Sequence, residues 1–139
     1  MTKALVSHVG IAVKDLEKSI KVYSILTGDQ KPVIENVPSE NVKVAIFSGS
    51  DKSAGRIELV AATSAESPIA KFINKRGEGL HHICIYVDDI NSKLSELKKA
   101  GVKLIDETHK LGAEGKKIAF VHPENLGGVL IELEERKRS

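Results

Sequence analysis

The sequence holds a single cysteine, Cys84, in 139 residues. No intrachain disulfide framework is possible, which points to a reducing compartment. There is no tryptophan, and two tyrosines and three phenylalanines are the whole aromatic set. So few rings make a poor stacking platform for single-stranded nucleic acid. Charge of one sign is not in excess either: 21 Lys and Arg face 19 Asp and Glu, for a formal net charge of +2. The one basic cluster, Arg136-Lys137-Arg138, reads as a solvated terminus rather than a grip on phosphates. No run approaches the roughly 18 consecutive apolar residues of a membrane helix. Met1-Thr2-Lys3-Ala4-Leu5 leads straight into a strand pattern with no apolar secretory segment. These absences leave a soluble, cytoplasmic protein with no nucleic-acid and no membrane partner as the expectation.

What is present is 41% apolar residues, arranged with clear periodicity. A chain of this length buries roughly two-thirds of its unfolded surface and predicts a single domain, 1–139. Leu5-Val-Ser-His-Val-Gly-Ile-Ala-Val13 alternates and reads as a strand. Asp15 stands where a helix N-cap belongs, Leu16, Ile20 and Tyr23 form one helix face, and Gly28 ends it. Strand patterns follow at 31–37, 42–48 and 56–61, and Pro68 opens a short helix over 68–76. Then the order restarts: a strand at 80–87, Asp89 as a cap, a helix to Ala100-Gly101, and strands at 102–106, 116–122 and 128–134.

The restart is an internal repeat. At an offset of 74 residues (82 − 8), His8 falls on His82, and Ile11, Val13 and Asp15 fall on Ile85, Val87 and Asp89. Leu16, Ile20 and Tyr23 fall on Ile90, Leu94 and Leu97, while Ile57-Glu58-Leu59 falls on Ile131-Glu132-Leu133. Two βαβββ modules, about 5–62 and 79–134, joined by a short helix-containing segment, give an α+β fold class.

Most repeated positions are apolar, as a duplicated core requires. A His and a Glu inside strands need another reason. Val9, Ile11 and Val13 share one strand face, so His8 points to the other, and the same count turns His82, Glu58 and Glu132 away from the helices. If the two copies share a curved sheet, all four side chains converge on its concave face. Two imidazoles and two carboxylates suit a divalent cation such as Mn, Co, Ni, Fe or Zn, and nearly neutralise it. The remaining candidates are weaker. His81 has the opposite parity and belongs under the helices or at a contact between modules. His109 sits in a polar loop and reads as solvated. His122 precedes Pro123 and falls on Ser48, so it lacks the repeat argument. Cys84 shares the parity of His82 and borders the same face, but nothing near it marks a nucleophile. Gly127-Gly128 and Gly112-Ala113-Glu114-Gly115 lack the strand–glycine–helix context of a phosphate cradle and read as turns.

The pattern resembles the vicinal oxygen chelate (glyoxalase) superfamily and, within it, the methylmalonyl-CoA epimerase family. The resemblance is carried by Ser67-Pro68-Ile69-Ala70-Lys71-Phe72, Gly79-Leu80-His81-His82-Ile83-Cys84-Ile85, Lys110-Leu111-Gly112-Ala113, His122-Pro123 and Gly127-Gly128-Val129-Leu130-Ile131-Glu132-Leu133. His8-Val9-Gly10-Ile11-Ala12-Val13 and Val37-Pro38 carry it in the first half. It implies two modules forming an incomplete barrel, and a divalent metal ion (Co, Mn, Ni, Zn or Mg) held by His8, Glu58, His82 and Glu132. Some relatives have Gln at Glu58. Some carry at Val44 a Glu assigned as one of two proton-transfer bases, a role Val44 cannot fill.

The activity implied is interconversion of (2R)- and (2S)-methylmalonyl-CoA through a metal-stabilised enolate, with ethylmalonyl-CoA as a close alternative. Glu132 is the expected catalytic acid or base; its partner is unassigned, with Glu58 as the symmetric candidate, and Lys116 and Lys117 are candidates to meet the CoA. Two other readings fit the scaffold: a glyoxalase I-like lactoylglutathione lyase, and a metal-free small-molecule binding protein. Exposed sheet edges make a homodimer the expected assembly.

Overall fold

The structure, a computed structural model, describes residues 3–136 apart from the side chain of Ala113. Of the basic cluster only Arg136 falls within that range; Lys137 and Arg138, like Met1 and Thr2, lie outside the described residues. The chain divides into two compact units, His8–His81 and, together, the residues up to Ser7 and those from His82 onward.

The first unit follows the order β1 (Leu5–Ala12), α1 (Leu16–Thr27), β2 (Val33–Val37), β3 (Val42–Phe47), β4 (Arg56–Ala62), α2 (Pro68–Arg76). Its strands lie in the order β2-β3-β4-β1. β1 runs parallel to β4, and the other neighbours are antiparallel. Local chemistry sets the helix ends. The Asp15 carboxylate accepts from the Lys18 N–H at 3.1 Å, satisfying a donor of the first turn. Gly28 closes α1 in the left-handed region at φ 77°, where a side chain would be strained. Ser67 caps α2 through the Ile69 N–H, and Pro68 takes the first helical position.

The strand parity read from the sequence holds. Val13, Ala45, Phe47, Leu59 and Ala61 pack with Ile11 and Ile57 against Leu16, Ile20 and Tyr23 of α1. Ala12, Val42, Val44 and Val60 turn to the other face and pack with Ile69, Phe72 and Ile73 of α2.

The second unit is built from β5 (Gly79–Val87), α3 (Ile90–Lys99), β6 (Lys110–Leu111), β7 (Lys117–Val121) and β8 (Leu130–Glu135). The strand order is β5-β8-β7-β6, with β5 parallel to β8. Asp89 caps α3 through the Ser92 N–H at 3.1 Å. Val87, Ile90, Leu94, Ala119, Val121 and Leu133 form its core on the α3 side.

One expectation fails here. Residues 102–106 do not form a strand; only Leu104 makes an isolated bridge, to Val121. The Ile105 and Asp106 N–H groups both donate to the Phe120 carbonyl, and the Asp106 carboxylate accepts from the Phe120 N–H at 2.8 Å. A side chain thus stands in for the next backbone carbonyl, and the ladder cannot continue. The counterpart of β2 is displaced to Lys110–Leu111, which is where an offset of 74 puts it. The following turns match as well, since Asn41 and Gly115 occupy equivalent positions with φ 55° and 72°. No helix among the described residues is long and apolar enough to cross a membrane.

Candidate active site

The first unit brings His8 and Glu58 together. β1 and β4 are in parallel register, with His8 opposite Arg56 and Gly10 opposite Glu58. Glu58 is therefore one same-face step along from His8, and its Oε2 lies 3.3 Å from His8 Nδ1. Both side chains are largely buried, at 10% and 16% exposure, so the pair is held rather than solvated. Two adjacent ligands on one octahedral ion, each at about 2.0–2.2 Å from it, stand about 3 Å apart. The observed separation and the N/O donor set fit a divalent first-row ion.

The second unit repeats the register. His82 lies opposite Leu130 and Cys84 opposite Glu132, so Glu132 is again one same-face step beyond its histidine. Cys84 takes the place of Gly10. Its Sγ is buried and within 4.8 Å of a Glu132 carboxylate oxygen. The sequence placed Cys84 on this face but gave no sign of that contact, which depends on the parallel pairing of β5 with β8.

The secondary candidates resolve individually. His81 packs edge-on against Phe72 of α2, centroids 4.9 Å apart at 84°, and burial holds its imidazole below the usual 6.5. It lies under a helix, as its parity implied. His109 departs from expectation: half-buried, it is clasped by Asn91, whose Nδ2 meets His109 Nδ1 at 2.9 Å while Oδ1 accepts from the His109 N–H at 3.1 Å. His122 is a cap, its Nδ1 accepting from the Glu124 N–H at 3.0 Å. Gly127 and Gly128 are turn residues with φ 68° and 80°. Lys116 and Lys117 face carboxylates, Glu134 at 3.5 Å and Glu135 at 3.7 Å, so each cation is already engaged. Val44 is a core residue, 8% exposed, in the apolar cluster beneath α2.

A cavity of about 420 Å³ opens in the first unit, lined by Asp29, Lys31, Val33, Ile46, Ser48 and Lys52 among others. Ile46 is the direct neighbour of Glu58 across β3 and β4, and Val33 is the neighbour of Ile46 across β2 and β3. Asp29 ties the two loops of this cavity by accepting from the Ser48 N–H at 3.0 Å and the Lys31 N–H at 3.1 Å. These bonds, with the Ser48 donor foremost, hold its carboxyl below the usual 3.8.

Residues 7–120 match the glyoxalase/bleomycin resistance protein/dioxygenase superfamily. The mitochondrial methylmalonyl-CoA epimerase of Homo sapiens is 41% identical over 131 residues, spanning 93% of this chain and 72% of that protein. The ethylmalonyl-CoA/methylmalonyl-CoA epimerase of Cereibacter sphaeroides is 36% identical over 131 residues, spanning 93% of this chain and 96% of that one. The crystal structure of methylmalonyl-CoA epimerase from Mycobacterium tuberculosis superposes with a TM-score of 0.80 at 36% identity, covering 96% of this chain and 89% of that one. With its two βαβββ modules, this chain belongs to the glyoxalase/bleomycin resistance protein/dioxygenase superfamily.

Proposed function

We propose that the chain is an epimerase that interconverts (2R)- and (2S)-methylmalonyl-CoA, with ethylmalonyl-CoA as a neighbouring substrate. The observation that supports it best is the His8–Glu58 pair at 3.3 Å, in a chain whose relatives carry that activity in their names. The proposed ligand set is His8, Glu58, His82 and Glu132, two residues from each module, so the modules work as one domain, 1–139. A divalent ion held there supplies a Lewis acid for the charge that develops on the thioester oxygen.

The chain's own groups do the proton work. C2 of the substrate lies between a thioester and a carboxylate, which makes its proton acidic for a C–H but still hard to remove at neutral pH. Glu132 takes that proton from one face as general base, and a second acid must return a proton to the other. Buried apolar neighbours of the pair, such as Val44 and Val60, limit access of water to the developing charge.

A second copy of the chain is the proposed partner. Val22, Ile25 and Leu26 form an exposed apolar stripe on α1, with Ile25 84% exposed. Ile25→Lys should shift a dimer to monomer in sedimentation. The proposed location is the cytoplasm, in keeping with a sequence that holds a single cysteine, Cys84, and so no intrachain disulfide.

Heavy water provides the test of the activity. Incubation with methylmalonyl-CoA and a divalent metal should place deuterium at C2, and chelation should stop it. Absence of exchange with every divalent metal tried contradicts the proposal. Turnover of the methylglyoxal–glutathione adduct far above that exchange favours the lyase reading, and ligand binding without either reaction favours a binding protein.

A further inference from the structure

CoA carries a diphosphate and a 3′-phosphate, so its thioesters bring several negative charges far from the reacting carbon. Lys116 and Lys117 already face carboxylates. The cavity of about 420 Å³ in the first unit offers other cations. Lys31, two residues ahead of β2, and Lys52, between β3 and β4, both line it and are both exposed. Its place relative to the His8–Glu58 pair follows from the strand ladder. Ile46 lies opposite Glu58 and Val33 lies opposite Ile46, and both line the cavity. Directly opposed residues project to the same side of the sheet, so this wall of the cavity shares the face of Glu58. Two strand spacings, about 10 Å, separate Glu58 from Val33. The pantetheine arm of CoA is longer than that span.

Arg56 joins the two places. It is the first residue of β4, directly opposite His8 and one same-face step from Glu58. Its Nη1 donates to the Lys52 carbonyl at 3.3 Å, which ties the half-buried guanidinium to the loop that lines the cavity. Acidic groups do not cancel these charges. Asp29 lines the cavity too, but its oxygens accept from the Ser48 and Lys31 N–H groups, and Lys52 is the smallest influence on its pKa. Asp51 turns to Ser53, accepting from its N–H at 2.9 Å and its hydroxyl at 2.6 Å. Nor does the module need cations here. At the offset of 74, Lys31, Lys52 and Arg56 fall on Ile105, Leu126 and Leu130.

We infer that Lys31, Lys52 and Arg56 form a phosphate subsite for the CoA portion of the substrate, an inference that rests on the epimerase reading for the identity of its ligand. The exposed lysines meet phosphate as point charges, and the tethered Arg56 offers a planar fork of donors on the side of His8 and Glu58.

The test compares C2 exchange in heavy water for methylmalonyl-CoA and for the methylmalonyl thioester of pantetheine, which has no phosphate. In the double variant Lys31→Gln/Lys52→Gln, KM for the CoA thioester should rise about tenfold with kcat nearly unchanged. For the pantetheine thioester, KM should match wild type. Arg56→Gln should raise KM for the CoA thioester as well, and Arg56→Lys should recover most of that loss, with circular dichroism as the check of folding. Calorimetry with CoA itself needs no turnover: binding should weaken about tenfold in the double variant, and in wild type it should weaken as salt rises. Unchanged KM for the CoA thioester in the double variant overturns the inference, as does an equal rise for both thioesters. If wild type binds CoA through these lysines but exchanges no proton, the subsite stands and the epimerase reading falls.

Discussion

In the first module β2 runs for five residues and pairs along its whole length with β3, whereas the equivalent edge of the second keeps only Lys110–Leu111. The edge residues differ in the same sense. Glu35 is exposed on its strand, while His109, at the same position in the repeat, is clasped by Asn91. The helices also diverge. α3 buries Ile90 and Leu94 completely, but α1 has no fully buried residue and exposes Val22, Ile25 and Leu26. What stays constant is the centre: the Asp caps, the apolar triads, and a Glu one same-face step beyond a His on parallel neighbouring strands. Inner strands are held on both sides by ladders, so a change there disturbs two neighbours. An edge strand answers to one neighbour only and is free to acquire a separate task.

The sharpest test of this comparison sets one glutamate against the other. Glu132→Gln should lower epimerisation about 10²–10⁴-fold with metal content retained, since it removes a proton-transfer group but keeps an oxygen donor. The same change at Glu58 should cost less, because some relatives use Gln there. Equal losses would show that the two carboxylates share the proton work.

The helices differ next. Leu94→Ala removes a side chain with 0% exposure and should cost about 2–5 kcal/mol, lowering Tm by about 10 °C. Ile20→Ala, at the equivalent but only partly buried position, should cost distinctly less. Equal costs would mean that α1 is covered in solution. Ser67→Ala should destabilise by about 1 kcal/mol in urea unfolding, through loss of the cap at the Ile69 N–H.

The smallest effect depends on pH and disappears in acid. Asp29 has its folded pKa below the usual 3.8, so its contribution is present above that value and lost as pH falls through the folded one. Asp29→Asn should weaken the protein at neutral pH and flatten the decline of its urea midpoint between about pH 5 and pH 2. An unchanged slope would show that the Ser48 and Lys31 bonds are not held in solution.

The sequence carried the centre of the fold plainly, because the repeat and the period-two alternation are both local in sequence. Asp15 and Asp89 announce their caps, and the parity of Glu58 between Ile57 and Leu59 announces its face. Residues 102–106 misled because Ile105 and Asp106 look like a strand, and only the tertiary contact with Phe120 shows a side chain replacing a backbone partner. The clasp of His109 by Asn91 joins residues 18 apart in sequence and has no pattern of its own.

The central claim is that two half-sites, one per module, hold a single divalent ion. Metal analysis of the purified chain after loading with Co or Mn, on wild type, His8→Ala and His82→Ala, tests it directly. The account predicts one ion per wild-type chain and a marked loss of affinity in both variants. Loading near zero in wild type, or affinity untouched by either substitution, would contradict it.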